Sequence, residues 1–259
     1  MLRRVVFPVL LALSMLASGC GGGGDSSSAP APAPAAADIS VLMFGNSHTV
    51  THGLPDMLAA MLRAGRPGKT VAVVAADGFL TLEERMKHAP SRAQFDSQKW
   101  SAVVLQNQAY STSGQFEYSI AEAVEWVRLA RLKGTLPVMF PEWPRLGIDE
   151  TERIYGLHVR IATLQPACVA PIPQAFDLSL ARHPTVGLHD ADGNHSSAQG
   201  AFLAALVLYS TLTGESPLGL PTLTQYGFSA DLQASLRKVA DDQIRLVSPA
   251  LYCPGDARL

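Results

Sequence analysis

Residues 39–62 read ISVLMFGNSHTVTHGLPDMLAAML. Ile39 to Phe44 is a short apolar run that stops at Gly45. An apolar run bounded by a turn residue is the pattern of a strand buried on both faces. Leu54, Met57, Leu58, Met61 and Leu62 then recur at helical spacing, with Pro55 near the start and Gly65 past the end. A strand feeding a helix through a tight turn is one unit of an α/β domain.

The same alternation continues along the chain. Thr70–Ala76, Ala102–Gln106, Leu136–Phe140 and Cys168–Ile172 read as further strands. Thr81–His88, Ile120–Lys133, Glu152–Leu164, Phe176–Ala181, Ser197–Thr213 and Asp231–Leu246 read as helices. Near-continuous apolar strands separated by helices imply a parallel sheet of about five strands covered on both faces. One α/β domain is expected over residues 38–259, without internal repeats.

Composition narrows the function. The 259 residues carry 20 lysines plus arginines against 22 acidic residues, a formal charge of −2. That balance argues against nucleic acid as a partner. Hydrophobic residues make up 47% and charged residues 16%, below the roughly 25% charged residues of ordinary soluble domains, so a sizeable core is available. No apolar run approaches the roughly 18–20 residues that span a bilayer.

The first 37 residues have a separate logic. Arg3 and Arg4 precede the apolar stretch Val5–Ala17, the arrangement of an export signal. Ala17-Ser18-Gly19-Cys20 resembles a bacterial lipobox, with Leu16 one place earlier than usual. The resemblance implies a signal peptide over 1–19, cleavage before Cys20 and lipidation of Cys20. An ordinary secretory signal is the alternative. Residues 20–37 are rich in Gly, Ser and Ala-Pro, a composition that forms a tether rather than a core. The expected location is the cell envelope, facing the periplasm or on the outer membrane, with the lipid at Cys20 as the membrane contact. Under oxidising conditions Cys168 and Cys253 are candidates for a disulfide; two buried thiols are the alternative.

In parallel sheets the chemistry gathers beyond the carboxyl ends of the strands. After the first strand stands Gly45-Asn46-Ser47-His48, after the second Asp77-Gly78, and after the third Gln106-Asn107-Gln108. Glu142-Trp143 follows the fourth. Near the C-terminus lies Asp192-Gly193-Asn194-His195, with Ser196 and Gln199 in capping-box spacing before an apolar helix. A carboxylate three residues from a histidine can fix its tautomer, which is what a general base for a serine nucleophile needs. Each serine or amide taken alone also fits a cap or a loop hydrogen bond.

Taken in order, these segments resemble the SGNH (GDSL-like) hydrolase superfamily across about residues 39–210. The resemblance implies a flavodoxin-like three-layer α/β/α sandwich. It implies Ser47 as nucleophile, His195 as base and Asp192 as its partner. It implies an oxyanion hole from the Ser47 N–H, Gly78 and an amide, for which Asn107 is the first choice and Gln106 or Gln108 the alternatives. His48, Gln106, Gln108, Glu142 and Trp143 are candidates to line the substrate pocket. Two departures stand out: Asn46 replaces the usual aspartate of the first block, and Gln106-Asn107-Gln108 replaces the usual Gly-x-Asn-Asp of the third. Some branches of carbohydrate esterases with glutamine-rich third blocks look similar.

The expected activity is hydrolysis of small acyl esters, acetyl first, on an extracytoplasmic carbohydrate, with no cofactor and no metal. A lipase or thioesterase of the same fold is one alternative. A glycan-binding lipoprotein that has lost catalysis is another. Two motifs are rejected. Gly68-Lys69-Thr70 lacks the upstream glycine of a P-loop, where Arg63 stands instead, and follows a helix rather than a strand. His48 and His52 are four apart but lack the glutamate of a zinc-protease helix.

Overall fold

The computed structural model describes residues 36–259. Residues 1–35, which include the expected signal peptide, Cys20 and most of the expected tether, lie outside the described residues. Five parallel strands form one sheet in the order β2-β1-β3-β4-β5: β1 (Ile39–Phe44), β2 (Val71–Ala75), β3 (Ala102–Leu105), β4 (Leu136–Met139) and β5 (Cys168–Val169). The helices are α1 (Ser47–Val50), α2 (Leu54–Gly65), α3 (Leu82–Lys87), α4 (Ala89–Asp96), α5 (Ala121–Leu132), α6 (Thr151–Leu164), α7 (Ile172–Arg182), α8 (Ala198–Thr213) and α9 (Ala230–Leu246).

Strand side chains alternate between two cores, as the pleat requires. Val41 and Met43 of β1 join Val104 and Val138 on one face, under α2, α7, α8 and α9. Leu42 and Phe44 join Val103, Leu105 and Met139 on the other, under Trp126 of α5, Ile161 of α6, Leu82 of α3 and Phe95 of α4. This is the three-layer α/β/α sandwich the sequence implies. Helix α8 is buried from Gly200 to Thr213, so its all-round apolar sequence belongs to a core helix between others. Among the described residues no helix is long and apolar enough to cross a membrane.

The structure corrects several sequence expectations. β5 ends at Val169 rather than Ile172, because α7 begins at Ile172 with Pro173 in its first turn, where a missing N–H costs nothing. Helix α7 therefore starts four residues before the expected Phe176. Helix α4 was not expected; its mixed polar face carries little periodicity, and its signals are the His88 cap and Pro90. The cap of α8 is Ser197, whose hydroxyl accepts from the Gly200 N–H at 3.2 Å, and not Ser196, which is buried. Gly200 is needed there, since a Cβ would lie 2.2 Å from the Leu188 carbonyl oxygen. Cys168 of β5 and Cys253 are joined in a disulfide that holds the C-terminal turn against the sheet.

Candidate active site

The order β2-β1-β3 places the ends of three strands side by side, and the turns beyond them form one floor. The turn after β1 is closed by Asn46, the N-cap of α1. Its Oδ1 accepts from the His48 N–H at 2.9 Å, and its backbone carbonyl accepts from the Thr49 N–H at 3.1 Å. Both bonds use the orphan donors of the first helical turn but leave the Ser47 N–H, the first of them, without a partner among the described residues. Asn46 also donates from Nδ2 to Asn107 Oδ1 at 3.0 Å. That bond occupies the acceptor of the Asn107 amide and leaves its NH₂ group to donate. Asn107 adopts φ +71°, a left-handed conformation that asparagine tolerates better than most residues.

Ser47 and His195 meet from opposite ends of the chain. Ser47 Oγ lies 2.8 Å from His195 Nε2, and His195 Nδ1 lies 2.6 Å from Asp192 Oδ2. An ionised carboxylate only accepts, so Nδ1 carries the proton and Nε2 is free to accept from the serine hydroxyl. Asp192 Oδ1 also accepts the N–H groups of Asn194 and His195, each at 2.9 Å. These bonds, the one from the His195 ring first, hold the Asp192 carboxyl well below the usual carboxylate range.

The loop bearing the histidine is fixed to the segment after β4. Trp143 Nε1 donates to Asn194 O at 2.9 Å, and the Leu146 N–H donates to Gly193 O at 2.8 Å. His189 Nε2 bonds Pro144 O at 2.8 Å. Within the loop, the Asp190 N–H donates to His195 O. Arg145 closes the facing segment with a paired contact to the buried Glu150 carboxylate.

Four residues expected to line the pocket are buried and act from behind it. Gln106 is fully enclosed: Oε1 accepts from the Asn46 N–H at 2.8 Å and the Thr49 hydroxyl at 2.9 Å, while Nε2 donates to Glu142 at 2.7 Å. Gln108 spends its amide on the carbonyls of Ala109 and Ser119. Trp143 packs flat against Phe176 in the core, its ring too apolar to leave in water. His48 lies between Trp143 and His195, stacked on the latter with ring centroids 4.9 Å apart. Burial, followed by the nearby His195, pushes His48 down to about 4, so it stays neutral and adds no charge against an imidazolium next to it. Glu142 is half-buried and remains near the site; desolvation pushes it up to about 7.

His48 and His52 do not converge, since His52 bonds Asp190 at 2.9 Å while His48 faces Asn194. One group of three donor side chains lies within metal-binding reach among the described residues, Cys168, Cys253 and Asp256, and two of them are spent in the disulfide.

The sequence reading missed Arg85. Its side chain is fully buried and its guanidinium donates to the carbonyls of Gly45, Asp77 and Gly78 and to Ser91 Oγ. The available signal was a capping box, Thr81 to Glu84, that places Arg85 on the inner face of a short helix. A cleft of about 340 Å³ lies between the segment after β3 and α6, lined by Tyr110, Phe116, Tyr118, Arg153 and Arg160 among others; Ser47, Gly78, Asn107, Asp192 and His195 are not part of its lining.

No family model matches the chain, and no curated protein does. Solved structures do. A protein from Slackia heliotrinireducens described as a candidate SGNH hydrolase is 27% identical, with a TM-score of 0.54 over 66% of this chain and 97% of its own. A DUF4886 family protein from Bacteroides uniformis is 17% identical, with a TM-score of 0.59 over 85% of this chain and 96% of its own. A psychrotrophic esterase, EstA, from Pseudoalteromonas, in a form inhibited by monoethylphosphonate, shares the fold at 13% identity and a TM-score of 0.50, over 67% of this chain and 96% of its own.

Proposed function

From a chain of the SGNH (GDSL-like) hydrolase fold, we propose a serine esterase that removes small acyl groups, acetyl first, from a carbohydrate outside the cytoplasm. The observation that carries the esterase reading is the continuous line Ser47 Oγ, His195 Nε2, His195 Nδ1, Asp192 Oδ2, with spacings of 2.8 and 2.6 Å. A serine is a weak nucleophile until an oriented base takes its proton. His195 takes that proton as Ser47 Oγ attacks the ester carbon, and Asp192 stabilises the imidazolium.

Negative charge then gathers on the former carbonyl oxygen. The unpaired Ser47 N–H, the Gly78 N–H and the Asn107 NH₂ group are the donors assigned to it. His195 returns the proton to the departing alcohol, the bond from carbon to the leaving oxygen breaks, and the acyl group stays on Ser47. Water, deprotonated by His195, releases the acid and restores the serine.

The carbohydrate reading draws on the cleft whose lining begins two residues after Asn107 in the chain, where the aromatic rings of Tyr110, Phe116 and Tyr118 stand among charged side chains. Aromatic faces beside charged groups suit a ring with apolar faces and polar edges, as a sugar has, better than an alkyl chain. Export and lipid attachment at Cys20 belong to the same proposal. They are supported by the basic, apolar and small-residue order of residues 3–20 and by a disulfide of the kind that persists in oxidising compartments.

The test is hydrolysis of p-nitrophenyl acetate, p-nitrophenyl decanoate and acetylated xylo-oligosaccharides by the purified protein, beside Ser47→Ala and His195→Ala. Turnover of acetate and of the oligosaccharide, lost in both variants, is the expected result. Faster turnover of decanoate would replace the carbohydrate reading with a lipase or thioesterase. Activity retained in Ser47→Ala would remove the esterase reading altogether.

A further inference from the structure

We propose that Arg85 is a positioning residue that aims the Gly78 N–H into the oxyanion hole and locks the Gly78 turn to the turn of the nucleophile. The inference rests on the esterase reading above and deepens it. Arg85 touches neither Ser47 nor His195. It acts through backbone, from underneath.

The geometry is that of a single buried cation collecting carbonyls. Nη1 donates to Asp77 O at 3.1 Å and to Ser91 Oγ at 3.1 Å. Nη2 donates to Gly45 O at 2.8 Å and to Gly78 O at 2.6 Å. The guanidinium also sits over the ring of Phe44, 5.1 Å from its centroid. No carboxylate lies within salt-bridge distance of it among the described residues. A fully buried guanidinium is costly to keep without a carboxylate partner, and here backbone oxygens carry the compensation. The oxygens it collects belong to two separate turns, so the charge ties the Gly45 turn to the Gly78 turn as well as filling space.

Peptide planarity carries that tie to the Gly78 N–H. In a trans peptide the C=O and the following N–H point in opposite directions, and the described chain contains no cis peptide. The Gly45–Asn46 peptide shows the rule at work. Its oxygen is held by Arg85 on one side, and its N–H meets Gln106 Oε1 on the other at 2.8 Å. The Asp77–Gly78 peptide is held in the same way. With Asp77 O turned down onto Arg85, the Gly78 N–H is turned up, away from the guanidinium. Gly78 has φ +78°, which the turn needs and which glycine alone adopts without strain. A positive charge on the carbonyl oxygen also polarises the peptide and strengthens its N–H as a donor.

Helix α3, which carries Arg85, reaches the third turn as well. The Leu82 N–H donates to Asn107 O at 3.2 Å, and Leu82 O accepts from Trp126 Nε1 at 3.0 Å, fixing the helix to α5. The turns that carry Ser47, Gly78 and Asn107 therefore hang from one short helix. A shift of that helix moves all three together.

The experiment compares Arg85→Lys and Arg85→Met with the wild type on p-nitrophenyl acetate and on the corresponding thionoester, with Ser47→Ala alongside and folding checked by circular dichroism. A lysine keeps the charge but cannot reach carbonyls on two turns at once. The expected result is a fall in kcat of about 10–10²-fold, short of the roughly 10²–10³-fold that outright loss of an oxyanion donor costs because the N–H is misaimed and not removed, with KM within about twofold. The preference for the oxygen ester over the thionoester should fall too, because the hole is built for oxygen. Wild-type kcat in folded variants would overturn the proposal. So would an unchanged oxygen-to-sulfur preference, or failure of both variants to fold, which would make Arg85 a structural residue. Those results leave the esterase reading intact as long as Ser47→Ala is inactive. Activity in Ser47→Ala would instead overturn that reading, and this inference with it.

Discussion

Glu142 offers a test in which charge, burial and the active-site floor are read together. Its carboxylate accepts from Gln106 Nε2 at 2.7 Å, and Gln106 in turn holds the Asn46 N–H and the Thr49 hydroxyl. Desolvation pushes the Glu142 carboxyl from an ordinary 4.5 up to about 7, against the opposing pull of the Gln106 bond. Between those values the folded protein keeps a proton that the unfolded chain has released. Stability from this group is complete below about 4.5 and is lost as pH rises through about 7. At about 1.36 kcal/mol per pH unit, the loss is at most about 3 kcal/mol. Glu142→Gln keeps an acceptor for Gln106 and removes the titration. The variant should match the wild type near pH 4.5 and exceed it by about 2–3 kcal/mol near pH 8. Urea denaturation of both proteins at the two pH values reads the difference, and all other titrating groups cancel in the comparison. Parallel pH profiles, or a variant less stable than wild type at pH 8, would refute the assignment of a neutral Glu142.

Three further outcomes follow, two at the same floor and one away from it. Gln106→Leu strands the Asn46 N–H, the Thr49 hydroxyl and Glu142; at about 1–3 kcal/mol for each unsatisfied buried group, partly relieved by relaxation, urea denaturation should show a loss of about 2–4 kcal/mol. Asp192→Asn removes the group that fixes the His195 tautomer at Nδ1, so kcat on p-nitrophenyl acetate should fall on the order of 10³–10⁴-fold in a protein of unchanged fold. Cys253→Ser opens an 85-residue disulfide loop, which should cost about 2–5 kcal/mol by denaturation and leave kcat near the wild-type value, because Cys168 lies on the edge strand β5, three strands across the sheet from β1 and its serine turn.

What was legible in the sequence was what is local. β1, β3 and β4 are buried on both faces, so their apolar runs give them away within a residue or two. Asp192 and His195 are three residues apart, and their bond is visible as a spacing. β5 was overextended because a two-residue strand followed by a helix with proline in its first turn still reads as one apolar run. The work done by Gln106, Trp143 and Arg85 was hidden because their partners lie far along the chain: 60 residues from Asn46 to Gln106, 51 from Trp143 to Asn194 and 40 from Gly45 to Arg85. A glutamine at a strand end looks the same in sequence whether it faces a substrate or a backbone N–H. Only the packing of the strands decides which.

The central claim is that Ser47 is a nucleophile activated by His195. The most direct measurement is reaction of the purified protein with a fluorophosphonate, with the adduct located by peptide mass spectrometry. A single phosphonyl adduct on Ser47, absent in Ser47→Ala and formed at least about 10²-fold more slowly in His195→Ala, is the predicted result. A folded protein whose Ser47 stays unmodified, or is modified equally fast without His195, would contradict it.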